Sequence, residues 1–446
     1  RETGNVVARA FAAQDVPFPG EPGRRDLRGR GAMTSPREAR RLCLTGTVHE
    51  AAAALERRGI GQSRLRSLLS AVAREPEPAR TETVPLTDGW GRATEMTVYV
   101  PEAHGDHPLG VIVALHGVGG SGADLEPYFR PVADACGAVL LCPTAQRPLG
   151  RTGNFDLAGL FGSRFTEARW TPAPGDFPAQ ALRWARENLA VDADRCALAG
   201  TSMGGITAWN LAARRWDELS MAASINGAPS IWELFGPDQS MRDLLPNLVN
   251  LPFVVVHGSM DQQIPPALDK EGVARLRALG HPDLSYLEVA GGEHRLSTMS
   301  WAPGSPHTDL VIRRLRSGRR RTWPARVRHQ ARERDGGRAH WVAIEQITPG
   351  RTGWVDARVA SRSHVEIRTA HAARLRLFLS DRIVNPGQIR VTVNGVTRGV
   401  EFTPSIHAAI VGYRAAGADP GRMAQMAADI ELSEISGEKV GDADSR

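Results

Sequence analysis

Lysine is nearly missing from this chain of 446 residues: only Lys270 and Lys439 occur, so its positive charge is almost all arginine. The formal net charge of +6 is small for the length, and acidic residues are mixed in almost everywhere. No broad single-sign face is implied, so no nucleic-acid partner is expected. Cysteine is scarce too. Cys43, Cys136, Cys142 and Cys196 form no CxxC pair, which argues against a zinc site. Three of them lie in apolar stretches and read as free core thiols, with one disulfide left open. No apolar run reaches membrane-spanning length, so no membrane insertion is expected. Internal repeats are absent, and with them any sign of an upstream seven-bladed propeller. The first residue is Arg1 rather than Met, which leaves a removed signal segment, and export with it, open.

What is present falls into four stretches. Residues 1–80 begin with a Gly-, Pro- and Arg-rich lead-in to about residue 35, without hydrophobic period. They continue as helix: Leu42, Leu44 and Ala51 to Leu55 fit one helix or two, and Leu65, Leu68, Leu69 and Val72 a further one. Residues 81–320 alternate strands with helices. Thr94 to Val100 alternates like a strand near an edge, while Val111 to Leu115 is a continuous apolar run, as in a strand buried on both faces. Ala138 to Leu141, Arg195 to Ala199, Ala222 to Ile225, Phe253 to Val256 and Leu284 to Val289 continue the series. Such alternation predicts a mostly parallel sheet flanked by helices. Residues 321–435 hold short period-two runs separated by Pro349-Gly350, Pro386-Gly387 and Asn394-Gly395. They predict a small antiparallel β domain, a sandwich, with a terminal helix. Residues 436–446 are a polar tail.

A serine hydroxyl is a poor nucleophile unless a base, a group orienting that base and oxyanion donors surround it. Gly200-Thr201-Ser202-Met203-Gly204 supplies the serine on a sharp turn between a strand and a helix, with glycines where neighbours come close. His116-Gly117-Val118-Gly119-Gly120 follows a buried strand and can offer a backbone N–H, taken here as that of Val118, with the N–H of Met203 as second donor. Asp261 lies just past a strand end, where an acid can hold a histidine in one tautomer. His294, in the loop after the strand ending at Val289, can act as base and then acid. Rivals remain open: Ser121 as nucleophile, Asp269 as acid, and His281 or His307 as base. His116 and His257, at strand ends, read as structural.

With these pieces together, residues from about Val84 to Arg316 resemble the α/β-hydrolase esterase branch that holds polyhydroxybutyrate depolymerases, feruloyl and acetylxylan esterases, and prolyl-oligopeptidase-like hydrolases. Leu115-His116-Gly117 carries the resemblance, as does Asp192-Ala193-Asp194-Arg195 leading into Gly200-Thr201-Ser202-Met203-Gly204-Gly205. His257-Gly258-Ser259-Met260-Asp261 with Ile264-Pro265, then Gly292-Glu293-His294, complete it. Where such relatives often show Gly-x-Gly-His, this chain has Gly291-Gly292-Glu293-His294. The helical lead-in and the β domain stand outside the catalytic match.

Two segments are expected to shape the pocket: Gly153 to Pro172, with Phe161 and Trp170, and Ile231 to Leu248, with Trp232. Both follow strand ends on the catalytic side. The resulting expectation is an α/β-hydrolase fold and a serine carboxylic ester hydrolase working through an acyl-enzyme. Its substrate would be a small or polymeric ester, such as a polyester or plant-wall ester, and its chemistry needs no metal or organic cofactor. The alternatives are a serine peptidase using the same triad, and a polymer-binding protein with a vestigial one. Trp323, Trp341 and Trp354 would serve the polymer, or else the β-domain core. Oligomeric state is not legible.

Overall fold

The computed structural model describes residues 34–102, 107–146, 170, 177–229 and 240–432. The expected lead-in before residue 34 and the polar tail lie outside them. Three short helices come first among the described residues: α1 (Pro36–Leu44), α2 (Val48–Glu56) and α3 (Gln62–Ala71). Ser35 caps α1, and Thr47 with Glu50 forms a capping box on α2, satisfying N–H groups the helices cannot satisfy themselves.

An eight-stranded sheet follows. Its strands are β1 (Arg80–Thr87), β2 (Ala93–Val100), β3 (Leu109–Leu115), β4 (Ala138–Pro143), β5 (Val191–Thr201), β6 (Met221–Ile225), β7 (Phe253–Gly258) and β8 (Leu284–Val289). They lie in the order β1-β2-β4-β3-β5-β6-β7-β8. β4 to β8 pair in parallel, while β1 and β2 run antiparallel. The continuous apolar runs of β3, β4, β6 and β7 are buried along their whole length because helices cover both faces. Helix α4 (Gly122–Cys136) packs on one face through Leu125, Phe129 and Val132. On the other face lie α5 (Phe177–Asn188), α6 (Met203–Arg215), α7 (Ser240–Leu248) and α8 (Pro266–Ala278), contributing Leu182, Trp209, Leu244 and Val273. Helix α9 (Pro306–Ser317) returns to the first face through Val311, Ile312 and Leu315. This is the α/β-hydrolase fold. Thr94–Val100, expected near the edge, is second in the sheet: β1 pairs outside it from Arg80↔Val100 to Thr87↔Ala93. Pro85 and the charged residues of β1 suit an outermost strand. No described helix is long and apolar enough to cross a membrane.

Two further sheets follow among the described residues. β16 (Val396–Phe402), β15 (Gly387–Val393), β13 (His364–Ala370), β12 (Gly353–Ser361) and β9 (Arg326–Ala331) form one, in that order. β10 (Arg338–Ala339), β11 (Val342–Ile347), β14 (Ala372–Leu379) and β17 (Met426–Glu431) form the other. Their inner residues, among them Val355, Ile367, Ile344 and Leu377, share one core. Two expectations need correction. The β region is not wholly antiparallel: β14 leaves for the other sheet, so the chain re-enters beside β13 in the same direction and β13 pairs β15 in parallel. Nor does it close on a helix: α10 (Ile406–Ala415) is followed by β17, which pairs with β14. Trp341 is fully buried in that core.

Helix α10 does not serve the sheets alone. Ile406, Ala409, Ile410 and Tyr413 pack against Leu42, Leu55, Leu65 and Leu69 of the first three helices. Residue 320 sits in a buried ionic knot. Arg320 donates to both carboxylate oxygens of Asp419, at 2.5 and 3.1 Å, and to Asp194 at 2.8 Å. Arg422 donates to Asp217 at 2.5 Å and pairs with Glu218 at 3.1 Å, which also takes Arg186 at 2.9 Å. All four cysteines are buried and unpaired.

Candidate active site

β5 ends at Thr201 and α6 begins at Met203, so Ser202 carries the whole reversal of direction. Its φ of 58° and ψ of −124° lie where a side chain is strained. Two close approaches demand glycine. A Cβ on Gly200 would lie 2.1 Å from Gly204 O, and one on Gly204 would lie 2.1 Å from Leu115 O. The turn is pinned by the Ser202 N–H donating to Ile225 O at 2.9 Å and the Ile206 N–H to Ser202 O at 3.0 Å.

Three expected side chains meet at this turn. His294 Nε2 lies 2.7 Å from Ser202 Oγ, and His294 Nδ1 lies 2.7 Å from Asp261 Oδ2. The other Asp261 oxygen accepts the N–H groups of Gln263 at 2.8 Å and Ile264 at 3.0 Å. The Asp261 side chain is fully buried. Burial opposes its charge, but hydrogen bonds from His257, His294 and the Ile264 N–H outweigh it and hold the carboxyl well below the usual range. The two loops carrying Asp261 and His294 are tied together by Asn226, which sequence reasoning missed. Its Nδ2 donates to Glu293 O at 3.0 Å and His294 O at 2.8 Å, and its Oδ1 accepts the Gly258 N–H at 2.8 Å. The only sequence sign was an Asn-Gly step directly after a buried strand.

The rivals have other partners. Ser121 caps α4 and donates to Asp124 at 2.7 Å. Asp269 faces His257 rather than His294. His281 accepts the Asp283 N–H at 3.1 Å, and His307 lies 3.4 Å from Ser305 Oγ.

The loop after β3 is held by His116, which is buried. Its Nε2 accepts the Ala145 N–H at 2.9 Å, so its proton sits on Nδ1 and is donated to Gly117 O at 2.6 Å. Burial lowers its pKa, which favours this neutral form. The Gly120 N–H reaches the same Gly117 oxygen at 3.3 Å. Across a trans peptide the C=O and the next N–H point opposite ways, so fixing Gly117 O also fixes the Val118 N–H. Gly117 borders the serine: a Cβ built on it would lie 3.1 Å from Ser202 Cβ. Trp170, expected to line the pocket, is 5% exposed and donates its indole N–H to His116 O at 2.9 Å. This bond ties Trp170 to the loop. The Met203 N–H opens α6, where a helix has no acceptor of its own for it. Phe161 and Trp232 lie outside the described residues.

No protein-family model and no curated protein matches this chain. Solved structures similar to it include the fluorophosphonate-binding serine hydrolase FphF of Staphylococcus aureus. It is 15% identical, over 54% of this chain and 98% of that one, with a TM-score of 0.39. An S-formylglutathione hydrolase of Agrobacterium tumefaciens is 17% identical over 54% of this chain and 96% of its own, with a TM-score of 0.40. A puromycin-hydrolyzing peptidase of Mycobacterium tuberculosis is 17% identical over 53% of this chain and 38% of its own, with a TM-score of 0.37.

Proposed function

We propose that this chain is a serine carboxylic ester hydrolase that works through an acyl-enzyme. One observation carries the reading: an unbroken line of short hydrogen bonds, Asp261 to His294 to Ser202, ends on a serine in strained backbone. Ser202 Oγ attacks the ester carbonyl carbon while His294 Nε2 takes its proton. Asp261 holds the Nδ1–H tautomer and stabilises the imidazolium. The oxyanion is received by the backbone N–H groups of Met203 and Val118, the first reinforced by the positive end of α6. His294 then protonates the leaving alkoxide. Water, activated by the same imidazole, releases the acid and restores Ser202.

The natural substrate on this reading is a small or polymeric ester. The test is turnover of p-nitrophenyl esters of increasing acyl length, beside a set of peptide p-nitroanilides, with Ser202→Ala as control. Ester turnover that disappears in the variant supports the reading. Turnover of anilides alone would make the chain a peptidase with the same triad. Equal ester turnover by both proteins would remove Ser202 from the mechanism.

A further inference from the structure

The line of polar contacts does not stop at Asp261. Behind it His257, on β7, and Asp269, on α8, are both fully buried. His257 Nε2 lies 2.9 Å from Ile264 O and 3.3 Å from Asp261 Oδ2. Its Nδ1 lies 2.8 Å from Asp269 Oδ2, and the remaining Asp269 oxygen accepts the Trp209 indole N–H at 2.9 Å. The line therefore runs Trp209, Asp269, His257, Asp261, His294, Ser202.

Counting protons assigns the roles. His257 Nε2 faces two oxygens that only accept, a carbonyl and a carboxylate, so it carries a proton. The contact between Nδ1 and Asp269 holds a second proton, on one atom or the other. The pair is therefore an imidazolium with a carboxylate, or an imidazole with a carboxylic acid, and in both forms Nε2–H donates to Ile264 O at 2.9 Å with Asp261 Oδ2 beside it at 3.3 Å. Burial of Asp269 opposes its charge and raises its pKa, while the bonds from His257 and the Trp209 N–H favour its carboxylate form. Burial opposes charge on His257, but its bonds to Asp261 and Asp269 outweigh this and raise its pKa to about 9. Other titratable groups around it are His294, beyond Asp261, and Glu288, its register partner on β8. Glu288 is tied to Lys270 of α8 at 2.7 Å and to the Tyr286 hydroxyl at 3.1 Å.

We propose that His257 is a positioning residue for the reaction: its ring, in ionic contact with the Asp261 carboxylate, holds that carboxylate toward His294, and Asp269 keeps His257 charged. This rests on the reading of Ser202, His294 and Asp261 as the reacting set. With the buried cation in place, the pull of Asp261 on protonated His294 is partly offset. Removing the cation strengthens that pull, so protonated His294 persists to higher pH and the acidic limb of the rate profile moves up. A residue that served folding alone would leave that limb where it is.

The experiment takes the full chain as wild type, His257→Gln, Asp269→Asn and Ser202→Ala, with kcat and KM for one p-nitrophenyl ester followed across pH. In folded His257→Gln, kcat is expected to fall about 10- to 100-fold with KM nearly unchanged, the scale of a misaimed reacting group. The acidic limb moves up by about half a unit or more. Asp269→Asn moves it in the same direction. Nitrogen-15 histidine spectra of the Ser202→Ala protein at about pH 8, where an ordinary imidazole is neutral, show one ring protonated at both nitrogens. That ring is absent when His257→Gln is added. An unmoved limb in either variant, or no doubly protonated ring, overturns the proposal. Should His257→Gln fail to fold, Asp269→Asn and the spectra decide. Full turnover by Ser202→Ala overturns the triad reading instead, and the spectra, which need no turnover, tell the two failures apart.

Discussion

At Ser202 the backbone holds a conformation that costs of the order of 1–3 kcal/mol for a residue with a side chain. Ser202→Gly is therefore expected to melt at a higher temperature than wild type while losing ester turnover, a pairing that calorimetry and a p-nitrophenyl assay would check. Asp261→Asn should keep the fold but lower kcat by about 10⁴, because an amide no longer selects the Nδ1–H tautomer of His294. The depressed pKa of Asp261 also carries a stability sign. Its contribution is full above the unfolded value of about 4 and is lost as pH falls toward the folded value. Denaturation midpoints measured downward in pH should converge for wild type and Asp261→Asn. The side chains of the proposed triad were marked in the sequence because each lies just past the C-terminal end of a strand. Asn226 and the pairing of His257 with Asp269 were not. Their meaning depends on which loops face each other, and no local pattern encodes that.

Among elements, the loop after β3 shows how one buried ring sets a backbone. Removing His116 takes one of two donors from Gly117 O and leaves the buried Ala145 N–H without its acceptor. His116→Ala should cost about 1–3 kcal/mol of stability. If the Val118 N–H serves the oxyanion, kcat should fall by up to about 10²–10³ with KM little changed. An unchanged kcat in the folded variant would remove Val118 from that role. Strands β3, β4, β6 and β7 were legible because burial on both faces writes uninterrupted apolar runs. The pattern hid β1, whose residues alternate exposure and carry Pro85, as an outermost strand does. The parallel pairing of β13 with β15 was hidden as well. Period-two alternation states which residues face inward but not the direction of the neighbouring strand.

For the whole molecule, the junction near residue 320 is packed rather than slack. Arg320 and Asp419 lie 99 residues apart in sequence, yet their side chains are 2% and 0% exposed. Breaking such a pair on one side strands a buried charge. Arg320→Ala should therefore lose about 3–5 kcal/mol, read as an earlier urea midpoint for the intact chain. Burial disfavours the Asp419 charge, but Arg320 and Arg186 outweigh it and lower its pKa, so this contribution too fades as pH falls below about 4. Composition could not show the knot, since arginines and acids are spread along the chain and only the fold selects partners. The seat of α1 to α3 has a consequence for synthesis. Their apolar face is completed by α10, whose residues begin at Ile406. During translation these helices emerge before α10 and wait, with that face uncovered, until α10 has been made. A nascent chain stopped before Ile406 lacks the cover that α10 gives this apolar face. It should be a client of chaperones even when its eight-stranded sheet is complete.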